Sequence, residues 1–563
     1  MKKTLLLLCW LCSSLLLFAQ NHSFDYSQPE TYVNVSVNKT QLQYLSLHFS
    51  VDAVQNQGDG TYHVRLCVGS NEYADFETTG IPYTIAPAEK PSVNMASSYA
   101  QLIQQWNRYP TYNTYLATMD TFRSQFPQLC EIDTILAQTP NNHKLLVAHI
   151  SNNLQDRGDK PAVFYSSTIH GDEPVGYYMM IRLIYHLLHN YATDPAVQNL
   201  VDNVDIWICP IENPDGTYYS SNNSLNSSPY STRYNYNGID LNRSYPLVGG
   251  YTTTRDLEPE VQAMINFGSA HQFTMSANLH GGAEVFNYPW DFWTSYQRPH
   301  ADDNWWSYVG HKFADTCHHY SSQYMTEENN GVTEGGDWYV ITGSRQDYYN
   351  YYLQCREVTI EVSDSKVLPS NYLPYYWGYI YRSFLNHIQE SLYGFRGIVT
   401  DTLTGQPLEA TVVVENHDDN VSFVSSRLPE GDYHRPIKGG TYQVTFSAPG
   451  YFPKTLTLTA TDGAALVQDV ELVPLNYGVG DHTAPVVEVY PNPVGDLLNI
   501  RLENAENEEI VMKLYDAAGR LLSRKILSNN QETVPMKDLA PGIYLLRITK
   551  DGTTISQQKI VRE

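Results

Sequence analysis

Positive charge is scarce in this 563-residue chain: 35 lysines and arginines stand against 60 aspartates and glutamates, a formal charge of −25. Such a surface repels polyphosphates and anionic lipid headgroups, which excludes nucleic-acid binding and docking on an acidic membrane. Cysteine is scarce too. Of seven, Cys9 and Cys12 fall in an apolar leader, and Cys67, Cys130, Cys209, Cys317 and Cys355 show no C-x-x-C spacing. A cysteine zinc site is therefore not expected, and no disulfide pairing can be read from five. Beyond residue 20 no apolar run approaches the roughly 20 residues that a membrane-crossing helix needs, so no transmembrane segment is expected in the mature chain. Neither G-x-S-x-G nor H-E-x-x-H occurs, which removes the marks of a serine hydrolase and of one class of zinc protease.

What is present is apolar mass, 42 % hydrophobic and 13 % aromatic, enough to build several cores. Residues 1–20, M-K-K-T-L-L-L-L-C-W-L-C-S-S-L-L-L-F-A-Q, read as a secretory signal cut near Ala19 or Gln20. Residues 21–95 alternate apolar and polar in Y-V-N-V-S-V, L-S-L-H-F-S-V and Y-H-V-R-L-C-V, which predicts a small β module serving as a pro-segment, a binding module or a spacer. Over 97–393, helical stretches alternate with short apolar strands, the pattern of an α/β domain with a mixed, twisted sheet flanked by helices. Residues 395–474 and 487–563 are strand and turn throughout and predict two β-sandwich domains, parted by L-N-Y-G-V-G-D-H-T-A-P.

Chemistry concentrates where strands end. After the apolar run A-V-F-Y comes S-T-I-H-G-D-E-P (167–174), with His170 and Glu173 three residues apart and a helical stretch behind them. The carboxyl ends of strands in an open α/β sheet are where ligands bind. A histidine nitrogen and a carboxylate suit zinc, and a catalytic zinc takes three protein ligands. The candidate third ligand is His280, which closes the run T-M-S-A-N-L-H before Gly281-Gly282. His186, His189, His318 and His319 read as ordinary surface or packed histidines.

In order along the chain stand H-G-D-E-P (170–174), N-P-D-G (213–216), N-G-I-D-L-N-R-S-Y-P (237–246), N-L-H-G-G (278–282) and T-I-E-V (359–362). Together these resemble the zinc metallocarboxypeptidases of the carboxypeptidase E, N and D branch, over roughly residues 97–474. The resemblance implies the metallocarboxypeptidase fold and one Zn2+ held by His170, Glu173 and His280. It implies Glu361 as general base, Arg233 as the cation that meets the developing oxyanion, Asn242 and Arg243 as the clamp on the substrate's terminal carboxylate, and Tyr339 as the ring that closes over it. Asp291 and Gln346 fall where that branch lines the pocket for the C-terminal side chain, which implies release of Lys or Arg from peptide or protein C-termini. Two departures stand out. Q-T-P-N-N-H-K (138–144) replaces a Gly/Arg-rich turn, and Arg345 adjoins Gly343-Ser344, an extra cation expected at the pocket rim.

Residues 395–474 resemble the transthyretin-like domain of the same branch. The tail, with Y-P-N-P (490–493), L-Y-D-A-A-G-R (514–520) and L-A-P-G-I-Y-L-L-R-I (539–548), resembles type IX secretion sorting domains. That implies the type IX machinery as a partner and export across an outer membrane, to the medium or the cell surface; a monomer is expected. The rival expectations are a cell-wall muropeptide peptidase of the same fold and an inactive surface binding protein.

Overall fold

The computed structural model describes residues 24–86, 93–225, 231–251, 256–475, 486–503, 510–527, 531–550 and 553–563. The signal segment and nearly all of the linker expected after residue 474 lie outside the described residues. The chain divides into two units, residues 1–90 and 91–563.

In the first unit, β1 (Glu30–Asn38), β2 (Ser50–Asn56), β3 (Thr61–Gly69) and β4 (Tyr83–Ile85) form one antiparallel sheet in the order β2-β3-β1-β4, with α1 (Lys39–His48) and α2 (Tyr73–Thr78) between strands. In β1, Val33, Val35 and Val37 face inward at the strand period of two. The strand expected at L-S-L-H-F-S-V is not one strand: Leu45–His48 complete α1, and β2 begins only at Ser50. A local helix signal outweighs the alternation there. Asn38 Oδ1 accepts the Gln41 N–H at 2.9 Å while Gln41 Oε1 accepts the Asn38 N–H at 3.1 Å, a reciprocal cap. Leu42 and Leu45 then fall on one helical face, and Leu47, which the alternation put inside, is 44 % exposed.

The second unit is built on an eight-stranded sheet made of β5 (Cys130–Leu136), β6 (Leu145–Ile150), β7 (Ala162–Ser167), β8 (Asp205–Cys209), β9 (Met275–His280), β10 (Ala283–Tyr288), β11 (Val332–Glu334) and β12 (Arg356–Ser363). Their order is β11-β10-β12-β9-β7-β8-β6-β5. The central strands β12, β9, β7 and β8 are mutually parallel, whereas β10 and β6 run antiparallel to their inner neighbours. Parallel strands are covered on both faces, which is why these read as nearly continuous apolar runs. Along β7 the faces separate cleanly. Val163 and Tyr165 pack with α3 (Tyr112–Gln125), α4 (Pro174–Asn190), α6 (Asp303–Tyr320) and α8 (Leu373–Glu390). Ala162 and Phe164 pack with α5 (Pro259–His271) and α7 (Arg345–Leu353) on the other face.

Two further β domains follow. Residues 394–472 form two small sheets around Phe395, Val412, Tyr433, Val444 and Phe446. Residues 486–562 form a three- and a four-stranded sheet around Ile500, Met512, Leu546 and Ile548. The first of these docks on the α/β sheet through buried charge. Asp302, just ahead of α6, receives Arg356 of β12 at 2.9 Å and Arg435 of the sandwich at 2.8 Å, and Arg435 also grips Asp418. Burial opposes charge on Asp302, but the two guanidinium groups outweigh it and hold its carboxyl well below the usual range.

Candidate metal centre

The site is assembled at the carboxyl ends of β7, β9 and β12. At the end of β7 the chain turns at Thr168, whose φ of 58° is costly for a β-branched residue, about 1–3 kcal/mol. Its hydroxyl donates to the Glu173 carbonyl at 3.0 Å and so ties the turn to the start of α4. Between them Gly171 lies flat against Gly216 of the N-P-D-G turn. A Cβ on Gly171 would come within 2.3 Å of the Gly216 carbonyl carbon, so these two motifs interlock through their backbones. Glu173 immediately precedes α4 and Pro174 occupies the helix's first position, where a fixed φ favours the helix and a missing N–H costs nothing. His280 is the last residue of β9 and lies opposite Glu361 in the parallel β9–β12 register.

These elements bring the expected ligands together. His170 Nδ1 lies 3.0 Å from Glu173 Oε1, His280 Nδ1 lies 3.1 Å from Glu173 Oε2, and the two Nδ1 atoms are 3.1 Å apart. All three residues are buried, each 3 % exposed. Two imidazole nitrogens and a carboxylate facing one point are the donors a divalent cation takes, and the set suits zinc. Burial pulls the His280 imidazole down to about 4, so it is neutral and able to ligate at neutral pH. Burial also pulls on His170, as does the nearby Arg233, but Glu173 and Asp240 overcome both and leave that ring above its ordinary value. Burial opposes the charge on Glu173, but His170 and Lys366 hold its carboxyl well below the ordinary range. Among the described residues one other group of metal-type side chains converges, Asp302, His417 and Asp418, but Arg356 and Arg435 already supply its positive charge.

Around this centre stand the other expected residues. Glu361 Oε2 is buried and has no hydrogen-bond partner among the described residues, and burial, reinforced by Glu173, pushes its carboxyl well above the ordinary range. Arg233 is 3 % exposed; its Nε donates to Asp240 at 2.9 Å and its Nη1 reaches Glu173 at 3.4 Å. Asn242 and Arg243 sit in a short helical turn opened by Asp240, with Arg243 half-buried. Tyr339 faces the same space: burial pushes its hydroxyl up, and its charged neighbours are Arg243, Glu361, Arg233 and Asp291. Asp291 Oδ1 accepts from Gln346 Nε2 at 3.0 Å and from Asn287 Nδ2 at 3.2 Å. Behind it, the buried Asp347 carboxylate accepts the backbone N–H of Asp291 at 2.8 Å and of Phe292 at 2.9 Å. The cation expected at the pocket rim is absent from it. Arg345 is wholly buried and turned under the sheet, where Glu212 and Glu357 take its guanidinium at 2.5 and 3.1 Å. Two buried carboxylates draw a guanidinium more strongly than water at a rim does.

Comparison with known proteins gives a consistent picture. Residues 115–380 match the zinc carboxypeptidase family, residues 394–473 a carboxypeptidase regulatory-like domain, and residues 488–563 a secretion system C-terminal sorting domain. Carboxypeptidase SOL1 of Arabidopsis thaliana is 30 % identical over 415 residues, covering 72 % of this chain and 81 % of its own. The chain belongs to the zinc carboxypeptidase family. Carboxypeptidase D of Mus musculus is 31 % identical over 371 residues, 62 % of this chain and 26 % of its own, so the zinc carboxypeptidase described here spans only part of that relative. Carboxypeptidase M of Mus musculus is 29 % identical over 384 residues, 63 % of this chain and 80 % of its own. The crystal structure of carboxypeptidase A from Helicoverpa armigera aligns over 64 % of this chain and 98 % of its own, at 16 % identity and a TM-score of 0.47. The sorting domain marks this zinc carboxypeptidase for type IX export to the cell surface or the extracellular space. Among the described residues no helix is long and apolar enough to cross a membrane.

Three residues of the centre were not singled out from the sequence. Asp240 lies 3.3 Å from His170 Nε2 and also holds Arg233. Lys366 reaches Asp172 at 2.8 Å and Glu173 at 3.4 Å. Asp240 and Asp172 stand inside the quoted motifs N-G-I-D-L-N-R and H-G-D-E-P, so their proximity to ligands was the available signal; Lys366 carries none.

Proposed function

We propose that this chain is an exported exopeptidase that releases C-terminal lysine or arginine from peptides, with the signal at 1–20, a separate module at 21–95, catalysis in 97–393, a structural β domain at 395–474 and the sorting domain at 487–563. The observation that carries it is the meeting of His170, Glu173 and His280 beside Glu361, whose buried Oε2 has no hydrogen-bond partner among the described residues. His170, Glu173 and His280 would hold zinc. When bound, zinc supplies Lewis acidity, polarising a carbonyl and lowering the pKa of water from 15.7 to about 7.

The chain's own residues do the rest. Glu361, a base of raised proton affinity, takes a proton from water and hands it to the leaving amine. Arg233, fixed by Asp240 beside the centre, supplies a positive charge that can meet the negative charge growing on the scissile carbonyl. Asn242 Oδ1 is held by the Arg345 N–H at 2.9 Å, which leaves the amide NH2 to donate to a terminal carboxylate. Arg243 offers that carboxylate a planar fork. Tyr339 covers the bound end and excludes water. Asp291, with Gln346 beside it, takes the substrate's cationic side chain. Asp291 has no lysine or arginine within ion-pair distance among the described residues, so a basic side chain would satisfy it where an apolar one would leave it unpaired.

The test is purified protein, with and without chelator, on peptides that end in Arg, Lys, Leu or Glu. Release of Arg and Lys that stops on chelation is expected. Preferential release of Leu or Glu would overturn the specificity, and activity unaffected by chelation would overturn the metal.

A further inference from the structure

Arg345 opens α7 directly before Gln346, and its side chain runs away from the pocket. It is 0 % exposed, and its guanidinium lies over the rings of Phe164 and Tyr349, 4.9 and 4.6 Å from their centroids. Nη1 donates to Glu212 at 2.5 Å and to the Ser166 hydroxyl, and Nη2 donates to Glu357 at 3.1 Å. Among the described residues no other lysine or arginine reaches either carboxylate within ion-pair distance. Glu357 is tied in turn to β9, accepting from Ser276 Oγ at 2.6 Å and from Asn278 Nδ2 at 3.0 Å. One guanidinium thus binds β7, the segment after β8, and β12 into one layer, and through Glu357 it engages β9.

The substrate side hangs from the same residue. The Arg345 N–H holds Asn242 Oδ1 at 2.9 Å. Gln346 Oε1 accepts the Thr359 N–H at 2.6 Å while its amide reaches Asp291 at 3.0 Å. None of the direct contacts of Arg345 is to His170, Glu173, His280 or Glu361. We propose that Arg345 is a positioning residue for substrate binding: by anchoring the start of α7 to Glu212 and Glu357, it sets Asn242 and Gln346 where the substrate's terminal carboxylate and side chain are read. This rests on the exopeptidase activity proposed above.

A buried cation that only stabilised the fold would lower the amount of active enzyme and leave KM alone. A positioning residue for Asn242 and Gln346 moves KM. In Arg345→Met, metal content is expected to match the wild type, kcat for an Arg-terminated peptide to stay within about threefold, and KM to rise about tenfold. Unchanged KM, or a loss of kcat without a rise in KM, overturns the role. If Arg345→Met yields no folded protein, Arg345→Lys, which keeps the charge and loses the planar fork, is judged on the same two constants; failure of both to fold assigns the arginine to stability alone and overturns the inference. Wild-type protein inactive on every C-terminus would overturn the exopeptidase activity itself, whereas an active wild type with unmoved KM in the variant overturns only the role of Arg345.

Discussion

Replacing Asp291 by Asn tests the specificity with little disturbance to the fold. Both amide donors that reach Asp291 Oδ1, from Gln346 and Asn287, would find an amide oxygen in the same place, so shape and hydrogen bonding are kept while the charge is lost. The residue is 3 % exposed, and removing one charge of a buried ion pair costs about 2–5 kcal/mol of binding. With the hydrogen bonds retained we take about 3 kcal/mol, a fall of roughly 150-fold in kcat/KM for a peptide ending in Arg. The same peptide ending in Leu should change by less than about threefold, since an apolar side chain gains nothing from the charge. Stability should not drop, because the Asp291 charge opposes ionisation of the buried Asp347 behind it. A pH series adds a second reading. Burial raises the Asp291 carboxyl, so the wild-type preference for Arg over Leu should weaken as the pH falls through that raised value, and the Asn variant should show no such slope. Equal losses on the Arg and Leu peptides would refute the charge argument, as would no loss on either.

Three further outcomes follow from the same geometry. Glu361→Gln should keep its bound metal while kcat falls by about 10²–10⁴, measured by turnover beside metal analysis; normal turnover would remove Glu361 from the reaction. Asp302→Asn strips the charge that Arg356 and Arg435 share and should cost about 3–5 kcal/mol of stability, read as a lower denaturation midpoint; an unmoved midpoint would mean that the two domains do not depend on this anchor. Glu260 is buried, its Oε1 has no hydrogen-bond partner among the described residues, and burial raises its carboxyl from 4.5 to about 7. The folded state therefore holds a proton that the unfolded chain has released, and that stability is present below about pH 4.5 and lost as the pH rises through about 7, by at most about 3 kcal/mol. Glu260→Gln should melt higher than the wild type at about pH 8 and equally at about pH 4, and a gain of the same size at both would contradict the titration.

The proposed metal ligands were legible because their signal is local. His170, Glu173 and His280 each close or follow a strand whose apolar run is visible, and the β9–β12 register that sets His280 beside Glu361 needs only two parallel neighbours. The direction of Arg345 was not legible. Its position in the chain, one residue from Gln346, suggested the pocket rim, but what decides its rotamer is Glu212, 133 residues earlier, together with Glu357 on the next strand. The helix at Lys39–His48 was hidden for a different reason. Leu45, Leu47 and Phe49 alternate as a strand would, and the deciding term is the Asn38–Gln41 cap, which lies outside that window. The docking of the 394–472 sandwich was invisible for the same reason as Arg345: Asp302, Arg356 and Arg435 are neighbours only in space.

The shortage of positive charge with which the chain begins also orders its interior. Four of the buried cations are each shared between two acids. Arg233 holds Glu173 and Asp240, Lys366 holds Asp172 and Glu173, Arg345 holds Glu212 and Glu357, and Arg435 holds Asp302 and Asp418. A carboxylate that the chain does not pair is pushed toward its neutral form, as at Glu260, Glu284 and Glu334, raised by burial to about 7, 7 and 8. Asp291 and Asp347 differ from these three in being two acids in contact, and in that Asp291 has Tyr339 and Arg243 as charged or titratable neighbours. Arg243 is the clamp proposed for the substrate's own carboxylate, so binding would engage it elsewhere. Arg298 also favours the charged form of Asp347, and any further positive charge for the 291–347 pair would come from the ligand, which supports the proposed preference for a lysine or arginine end group over an apolar one.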